Sequence, residues 1–410
     1  MNAHSIVARL AQLAEIGKHE RGIDRALATP QERRARELFT GWARDAGYTL
    51  AQDAAGNLFA RRAGTQTGAA PILAGSHLDT VPTGGAYDGA YGVAGAICAL
   101  ELLDQRGVTL RHPAEAVAWA GEEGSRFPLG CLGSSAFTGL WRVDDVLALA
   151  DANGITLRDA LNTPDGGLLA GIPLRTAQPT AAYLELHVEQ GPVLEREGVP
   201  LGVVTAIAGQ RRYRVAIEGE SGHAGTVPME LRADPLGAAA GVVLAIESAA
   251  REAGETVATI GRFAVEPGGT NVIPARVAFS LDIRSPHENR VSAVEEAAHR
   301  ALETAQRQRG VRSVMECLEA RPPAPMDERM RAAVHRAIAG MNETAIDLPS
   351  GAGHDAMCLA RIAPAAMIFV PSIGGRSHVG EERTAVADLE RGVEALAAAM
   401  VEVDAALDEN

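Results

Sequence analysis

The 410-residue sequence predicts an α/β fold, a larger domain interrupted by a smaller α+β sandwich. Three observations carry that prediction. Short apolar runs read as buried strands, with helical stretches between some of them. Clusters of histidine and carboxylate fall directly after several of these runs. A self-contained pattern of strand, helix, two strands and helix interrupts the series in mid-chain.

The elements follow in order. MNAHSIVARLAQLAEIG is patterned as an amphipathic helix, and Thr29-Pro30 opens a second one in which Ala35, Leu38, Phe39 and Trp42 recur at helical spacing. Residues 72–74, 116–119 and 183–186 read as short buried strands, with a helical stretch at 93–105. A second unit starts near Gly209, with a strand at 212–218, an Ala-rich helix at 234–253, strands at 256–263 and 277–283, and a helix at 286–308. The Pro-rich segment EARPPAP, residues 319–325, reads as the returning linker. From Met326 the alternation resumes, with a strand at 366–370 and a closing helix at 389–407. The larger domain is thus expected to comprise residues 1–208 and 326–410, and the insert residues 209–325.

Composition narrows the function classes. Hydrophobic residues are 47% and charged residues 22%, the balance of a globular protein with a sizeable core. Lys+Arg 38 against Asp+Glu 52 gives a net charge of −14, and no dense basic cluster is present. A nucleic-acid partner is therefore not expected. No apolar run approaches the roughly 18 residues of a membrane span, so no membrane partner is expected either. Cys98, Cys131, Cys317 and Cys358 are widely spaced without a Cys-x-x-Cys pair, and the N-terminus lacks a basic-then-apolar signal pattern. A cytoplasmic location is expected.

The polar clusters point to hydrolytic metal chemistry. After residues 72–74 comes Gly75-Ser-His77-Leu-Asp79, in which an imidazole at a strand end points into a cleft and the Asp two residues on can orient it. In GGAYDG, glycines flank Asp88, letting the backbone approach closely and freeing the carboxylate to bridge two cations. In AGEEG, Glu122 and Glu123 follow a buried strand and read as two roles, one a metal ligand and the other a free base. His187 in ELHVEQGP and His378 in RSH complete the donor set. Three His with two or three carboxylates suit a pair of divalent ions sharing one carboxylate, and with no Cys ligand Zn²⁺, Mn²⁺, Co²⁺ and Ni²⁺ all fit.

The ordered set GSHLDT, GGAYDG, GEEGSRFP, ELHVEQGP, GHAGTVPM, GTNVIP, DIR, SGAGHDAM and SH resembles the dimetal amidohydrolases related to aminoacylase and glutamate carboxypeptidase. Within them it resembles the branch of N-carbamoyl-L-amino-acid hydrolase, β-ureidopropionase and allantoate amidohydrolase. That resemblance implies a dimetal exopeptidase-like catalytic domain carrying a lid and dimerisation domain. It implies His77 and His187 as ligands of one metal, Glu123 and His378 of the other, Asp88 as the bridge, Glu122 as general base and Asp79 as support for His77. It also implies that His223 reaches across a homodimer to polarise the scissile carbonyl. Asn271 and Arg284 would hold the substrate carboxylate, while Gln190, Gly353 and His354 would line the pocket. The motif GQRRY, which contains Arg212, is closest to allantoate amidohydrolases. The expected substrate is a small ureido carboxylate, allantoate first and N-carbamoyl-L-amino acids or N-carbamoyl-β-alanine next. A peptidase or N-acyl-amino-acid hydrolase on the same centre, or a non-catalytic binding homologue, are the other readings, and retention of Glu122 argues against the last. After His378 the chain reads Val-Gly-Glu-Glu, where the branch usually has Asn or His followed by Pro.

Overall fold

The computed structural model describes residues 4–408, and Met1–Ala3 of the expected first helix lie outside them. Two units emerge: Met1–Thr205 with Pro325–Leu348 and Ala352–Asn410, and Ala206–Ala324 with Pro349–Gly351. The three-residue return, Pro349–Gly351, has no counterpart in the sequence pattern.

The first unit is built on a nine-stranded mixed sheet. Its strands in chain order are β1 (Thr49–Gln52), β2 (Leu58–Arg62), β3 (Ile72–His77), β4 (Ala114–Trp119), β5 (Ala182–Val188), β6 (Leu201–Ile207), β7 (Ala324–Pro325), β8 (Ala345–Ser350) and β9 (Ala365–Val370). The spatial order is β7-β6-β9-β5-β3-β4-β2-β1, with β8 also on β6. Four of these, β9, β5, β3 and β4, run parallel, with Phe369 opposite His187 and His77 opposite Trp119. All four are buried on both faces, as a parallel sheet covered by helices requires. The register brings their carboxyl ends to one edge.

Helix His4–Ala14, helix Ala90–Gln105 and helix Val386–Ala406 share one core with the sheet, so both chain ends build it. Helix Pro30–Asp45 starts where expected: Thr29 accepts the Glu32 N–H and Pro30 occupies the first turn, whose free N–H groups make proline harmless.

The second unit has a sheet in which Gly209–Glu218 lies between Arg276–Ser285 and Arg312–Arg321, all antiparallel. Residues along Arg276–Ser285 alternate buried and half-buried, the mark of a sheet covered on one face. Helices Pro235–Ala253 and Glu288–Arg309 pack on the buried face around Val215, Ile217, Phe279 and Ile283. The expected strand at 256–263 is two strands, Val257–Thr259 and Phe263–Glu266. Both pair with Arg276–Ser285, and between them Ser280 faces Arg262 instead of continuing the ladder. Among the described residues no helix is long and apolar enough to cross a membrane.

Candidate metal centre and active site

The candidate metal ligands and the candidate base Glu122 lie at or after carboxyl ends of the parallel sheet. His77 is the last residue of β3 and His187 the penultimate residue of β5. Glu122 and Glu123 follow β4, and His378 stands beyond β9. Asp88 sits in the loop ahead of helix Ala90–Gln105. Gly89, with φ 63°, caps that helix and lies directly against the His77 ring.

Hydrogen bonds fix which ring nitrogens face the site. His187 Nδ1 lies 2.8 Å from the Val188 carbonyl and His77 Nδ1 3.0 Å from the Asp79 carbonyl, so in both rings Nδ1 carries the proton. The lone pairs on Nε2 then converge on Asp88 Oδ1, at 3.2 Å from His187 and 3.5 Å from His77. The other oxygen, Asp88 Oδ2, is 3.3 Å from His378 Nε2, which is 3.5 Å from Glu123 Oε2. Lone pairs facing carboxylate oxygens repel unless a positive charge lies between them. Ligand atoms bound tetrahedrally at about 2.0–2.1 Å lie about 3.3–3.4 Å apart, the separations seen here. Donor atoms of His77, Asp88 and His187 form one set and those of Asp88, Glu123 and His378 another, all within 4.8 Å of one another in each set. The residues therefore fit a divalent metal centre, with Asp88 common to both sets.

Electrostatics report the same demand for cations. Burial, reinforced by the charge of Asp88, raises the Glu123 carboxyl to about 8. Burial also raises Glu122, with Asp79 and Asp88 adding to it against the pull of His77. Burial opposes charge on His77, yet its contact with Asp88 and the nearby Glu122 and Asp79 hold it well above the ordinary imidazole range. Contact with Asp88 lifts His378 to about 9 against partial burial. The cluster thus favours positive charge among its donor atoms, which a bound cation supplies.

The supports differ in detail from the expectation. The Asp79 carboxylate is 3.7 Å from His77 Nδ1, and it accepts instead the backbone N–H groups of Glu122 and Glu123 at 3.1 and 3.2 Å. One aspartate thus ties the β3 ligand to the β4 carboxylates. Gln190 donates from Nε2 to Asp88 Oδ2 at 2.8 Å, and the Ser377 hydroxyl lies 3.1 Å from the same oxygen. His354 is buried with its ring 4.6 Å from that of His187, and burial with the neighbouring imidazole keeps it neutral; Gly353, just before it, is exposed.

Glu382 is a site residue that sequence reasoning missed. Its carboxylate accepts the N–H groups of Tyr87 and Asp88, both at 2.9 Å, and lies 3.1 Å from the Ser377 hydroxyl, whose single proton lies between it and Asp88. It belongs to the unusual Val-Gly-Glu-Glu run, whose Gly380 packs so tightly on Arg21 and Gly22 that a Cβ would fall 2.8 Å from the Arg21 carbonyl. The second Glu of that run, set off from His378 by a tight glycine, was the available signal.

The remaining expected residues lie in the second unit. His223, exposed, pairs with Val272 in a two-stranded ribbon, and its Nδ1 accepts the Gly225 N–H at 3.0 Å. Asn271 adjoins it, with its carbonyl taking the Ala224 N–H at 3.0 Å. Arg212 and Arg284 meet on Asp282 at the other end of the sheet: Arg212 Nε at 3.0 Å, Arg284 Nε and Nη2 at 2.9 and 3.2 Å. Burial opposes ionisation of Asp282, but the two guanidinium groups outweigh it and depress its pKa. They line a pocket of about 600 Å³ with Tyr213, Arg262 and Ser280. From Arg276 to Arg284 is eight residues of strand, about 26 Å at 3.3 Å each, and Asn271 lies beyond Arg276. One chain's Asn271 and Arg284 therefore cannot hold the same carboxylate.

The chain belongs to peptidase family M20/M25/M40, whose model matches residues 73–402. It is 41% identical over 395 residues to an N-carbamoyl-L-amino acid amidohydrolase of Geobacillus stearothermophilus, covering 95% of each chain. It is 38% identical over 397 residues to an allantoate amidohydrolase of Bacillus subtilis (strain 168), covering 96% of each. The crystal structure of an amidase of the hydantoinase/carbamoylase family from Burkholderia multivorans superposes with a TM-score of 0.94 at 36% identity, covering 98% of both chains. The α/β fold with a smaller second unit and the amidohydrolase class agree with these relatives, and the enzyme is a hydrolase of carbon–nitrogen bonds.

Proposed function

We propose that this enzyme hydrolyses the ureido C–N bond of a small carboxylate, allantoate first, releasing ammonia and CO2. The observation that carries this reading is the division of labour around Asp88: its two oxygens serve two donor sets, and Glu122 belongs to neither. His77, Asp88 and His187 would hold one divalent ion, and Asp88, Glu123 and His378 the other, Zn²⁺ or Mn²⁺ first. When bound, such ions would lower the pKa of water and polarise a carbonyl.

The chain's own residues supply the rest. Glu122 takes the proton from the attacking water and returns it to the leaving nitrogen, so that the amine departs neutral. Asp79 fixes the Glu122 and Glu123 backbone by accepting both of their N–H groups. Arg284 selects for a carboxylate. Asp282 and the Gly351 carbonyl take three of its five N–H donors, leaving one on each terminal nitrogen, the fork that grips a carboxylate end-on.

The separation of Asn271 and His223 from Arg284 supports a homodimer in which His223 and Asn271 act on the partner's substrate. The 41% identity to an N-carbamoyl-L-amino acid amidohydrolase favours N-carbamoyl-L-amino acids as the second reading. The test is side-by-side turnover of allantoate, N-carbamoyl-L-amino acids, N-carbamoyl-β-alanine and N-acetyl amino acids with Mn²⁺ restored. The highest kcat/KM is expected on allantoate. Turnover of the N-acetyl compounds alone would overturn the reading.

A further inference from the structure

The chain beyond Glu122 and Glu123 returns onto them at Cys131. The Cys131 N–H donates to the Glu122 carbonyl at 2.8 Å, and Leu132 and Gly133 continue the pairing onto Gly121 and Ala120 at 3.0 and 2.7 Å. Cys131 does this with φ 50°, a left-handed backbone at the head of helix Leu132–Phe137. Any residue with a Cβ is strained there, and glycine is the usual occupant. Such strain persists where the side chain has a task. Here the buried Sγ reaches Glu122 Oε1 at 3.3 Å, while the other oxygen, Oε2, faces His77 Nε2 at 3.7 Å.

The thiol is the donor in this contact. Cys358 touches it from helix Ala356–Leu359, and that contact, burial and the Glu122 charge hold Cys131 well above the ordinary thiol range, so it keeps its proton. Ser134 and Asp355, joined Oγ to Oδ1 at 2.5 Å, tie the two short helices together behind it.

We infer that Cys131 is a positioning residue for the base, its S–H holding one oxygen of Glu122 so that the other stays turned to the reacting water. A thiol is a weak donor, so it orients the carboxylate while leaving it basic. The inference rests on the reading of Glu122 as general base.

The experiment compares Cys131→Gly, Cys131→Ala and Cys131→Ser for metal content, thermal midpoint, kcat and KM on the substrate the panel selects. Cys131→Gly, freed of the left-handed strain, should keep its metal and its midpoint, yet lose roughly 5- to 10-fold in kcat at unchanged KM, the scale of one hydrogen bond. Cys131→Ala should lose as much, and Cys131→Ser, which restores a donor, should recover most of it. In a Glu122→Gln background, Cys131→Gly should cause no further fall, because it acts through the carboxylate. Parent kcat in metal-replete Cys131→Gly overturns the inference, and so does an undiminished 5- to 10-fold fall in the Glu122→Gln background. If Cys131→Gly melts early, the Ser and Ala variants decide: equal kcat in the two overturns the inference, and a higher kcat in Ser supports it. Parent-like turnover by Glu122→Gln alone overturns the base assignment itself, so the two failures are distinguishable.

Discussion

Gly89 sits where a single methyl group tests the whole metal centre. A Cβ on it would lie 2.4 Å from Cε1 and Nδ1 of His77 and 2.5 Å from Nε2. Unstrained contacts begin near 3.5 Å, so in Gly89→Ala the imidazole or the loop before it must retreat by about 1 Å. Metal–ligand distances tolerate about 0.2 Å, and the retreat is several times that. The Gly89 N–H also donates to His187 Nε2 at 3.2 Å, so the second imidazole is disturbed with the first. Alanine at φ 63° adds about 1–2 kcal/mol of backbone strain to about 1–3 kcal/mol of overpacking. Gly89→Ala should therefore be destabilised by about 2–5 kcal/mol, with metal affinity down about 10–100-fold. The assay is metal content by plasma emission after dialysis against graded chelator, paired with thermal melts with and without added metal. The parent's midpoint should rise on metal addition by mass action, and the variant's rise should shrink. Full metal retention by Gly89→Ala at chelator concentrations that leave the parent loaded, with unchanged turnover, would refute the placement of His77 as a ligand.

Three further outcomes follow from the same geometry. Asp88→Ala should lower occupancy of both sites and abolish activity, whereas His378→Ala should chiefly empty one, and metal counting separates the two patterns. Arg284→Lys should raise KM for carboxylate substrates with a smaller effect on kcat, since a point charge cannot reproduce the fork; an unchanged KM shows that the anchor lies elsewhere. Mixing inactive His223→Ala and Glu122→Gln chains should restore part of the activity if His223 serves the partner's site, and no recovery after verified subunit exchange excludes that sharing.

What the sequence made legible was governed by local pattern. The strands ending at His77, Trp119, Val188 and Val370 are short, largely apolar runs, and their parallel pairing brings the polar residues after them to one edge. Edge strands such as Thr49–Gln52 and Arg312–Arg321 escaped, because half-exposed strands carry no continuous apolar run. Asn271 and Arg284 are thirteen positions apart in the chain, which hides the fully extended strand that separates them. Glu382 left only the unusual run after His378 as a signal, because the Tyr87 and Asp88 amides that it binds lie almost three hundred residues away and backbone donors form no side-chain pattern. In the sequence Cys131 is one of four widely spaced cysteines, and its left-handed φ and its contact with Glu122 emerge only in the structure.

The position of β9 bears on how this chain is made. It is the last strand of the sheet to be synthesised, yet it lies between β6 and β5, paired antiparallel to one and parallel to the other. On the ribosome, the segment Ala206–Ala324 can close on contacts of its own, whereas the first unit waits with a gap at its centre. Until residue 370 emerges, β5 and β6 each present an unpaired ladder, and such edges recruit strands from other chains. Nascent chains stalled between residues 325 and 365 should accordingly be the most aggregation-prone, and the ones most dependent on a chaperone.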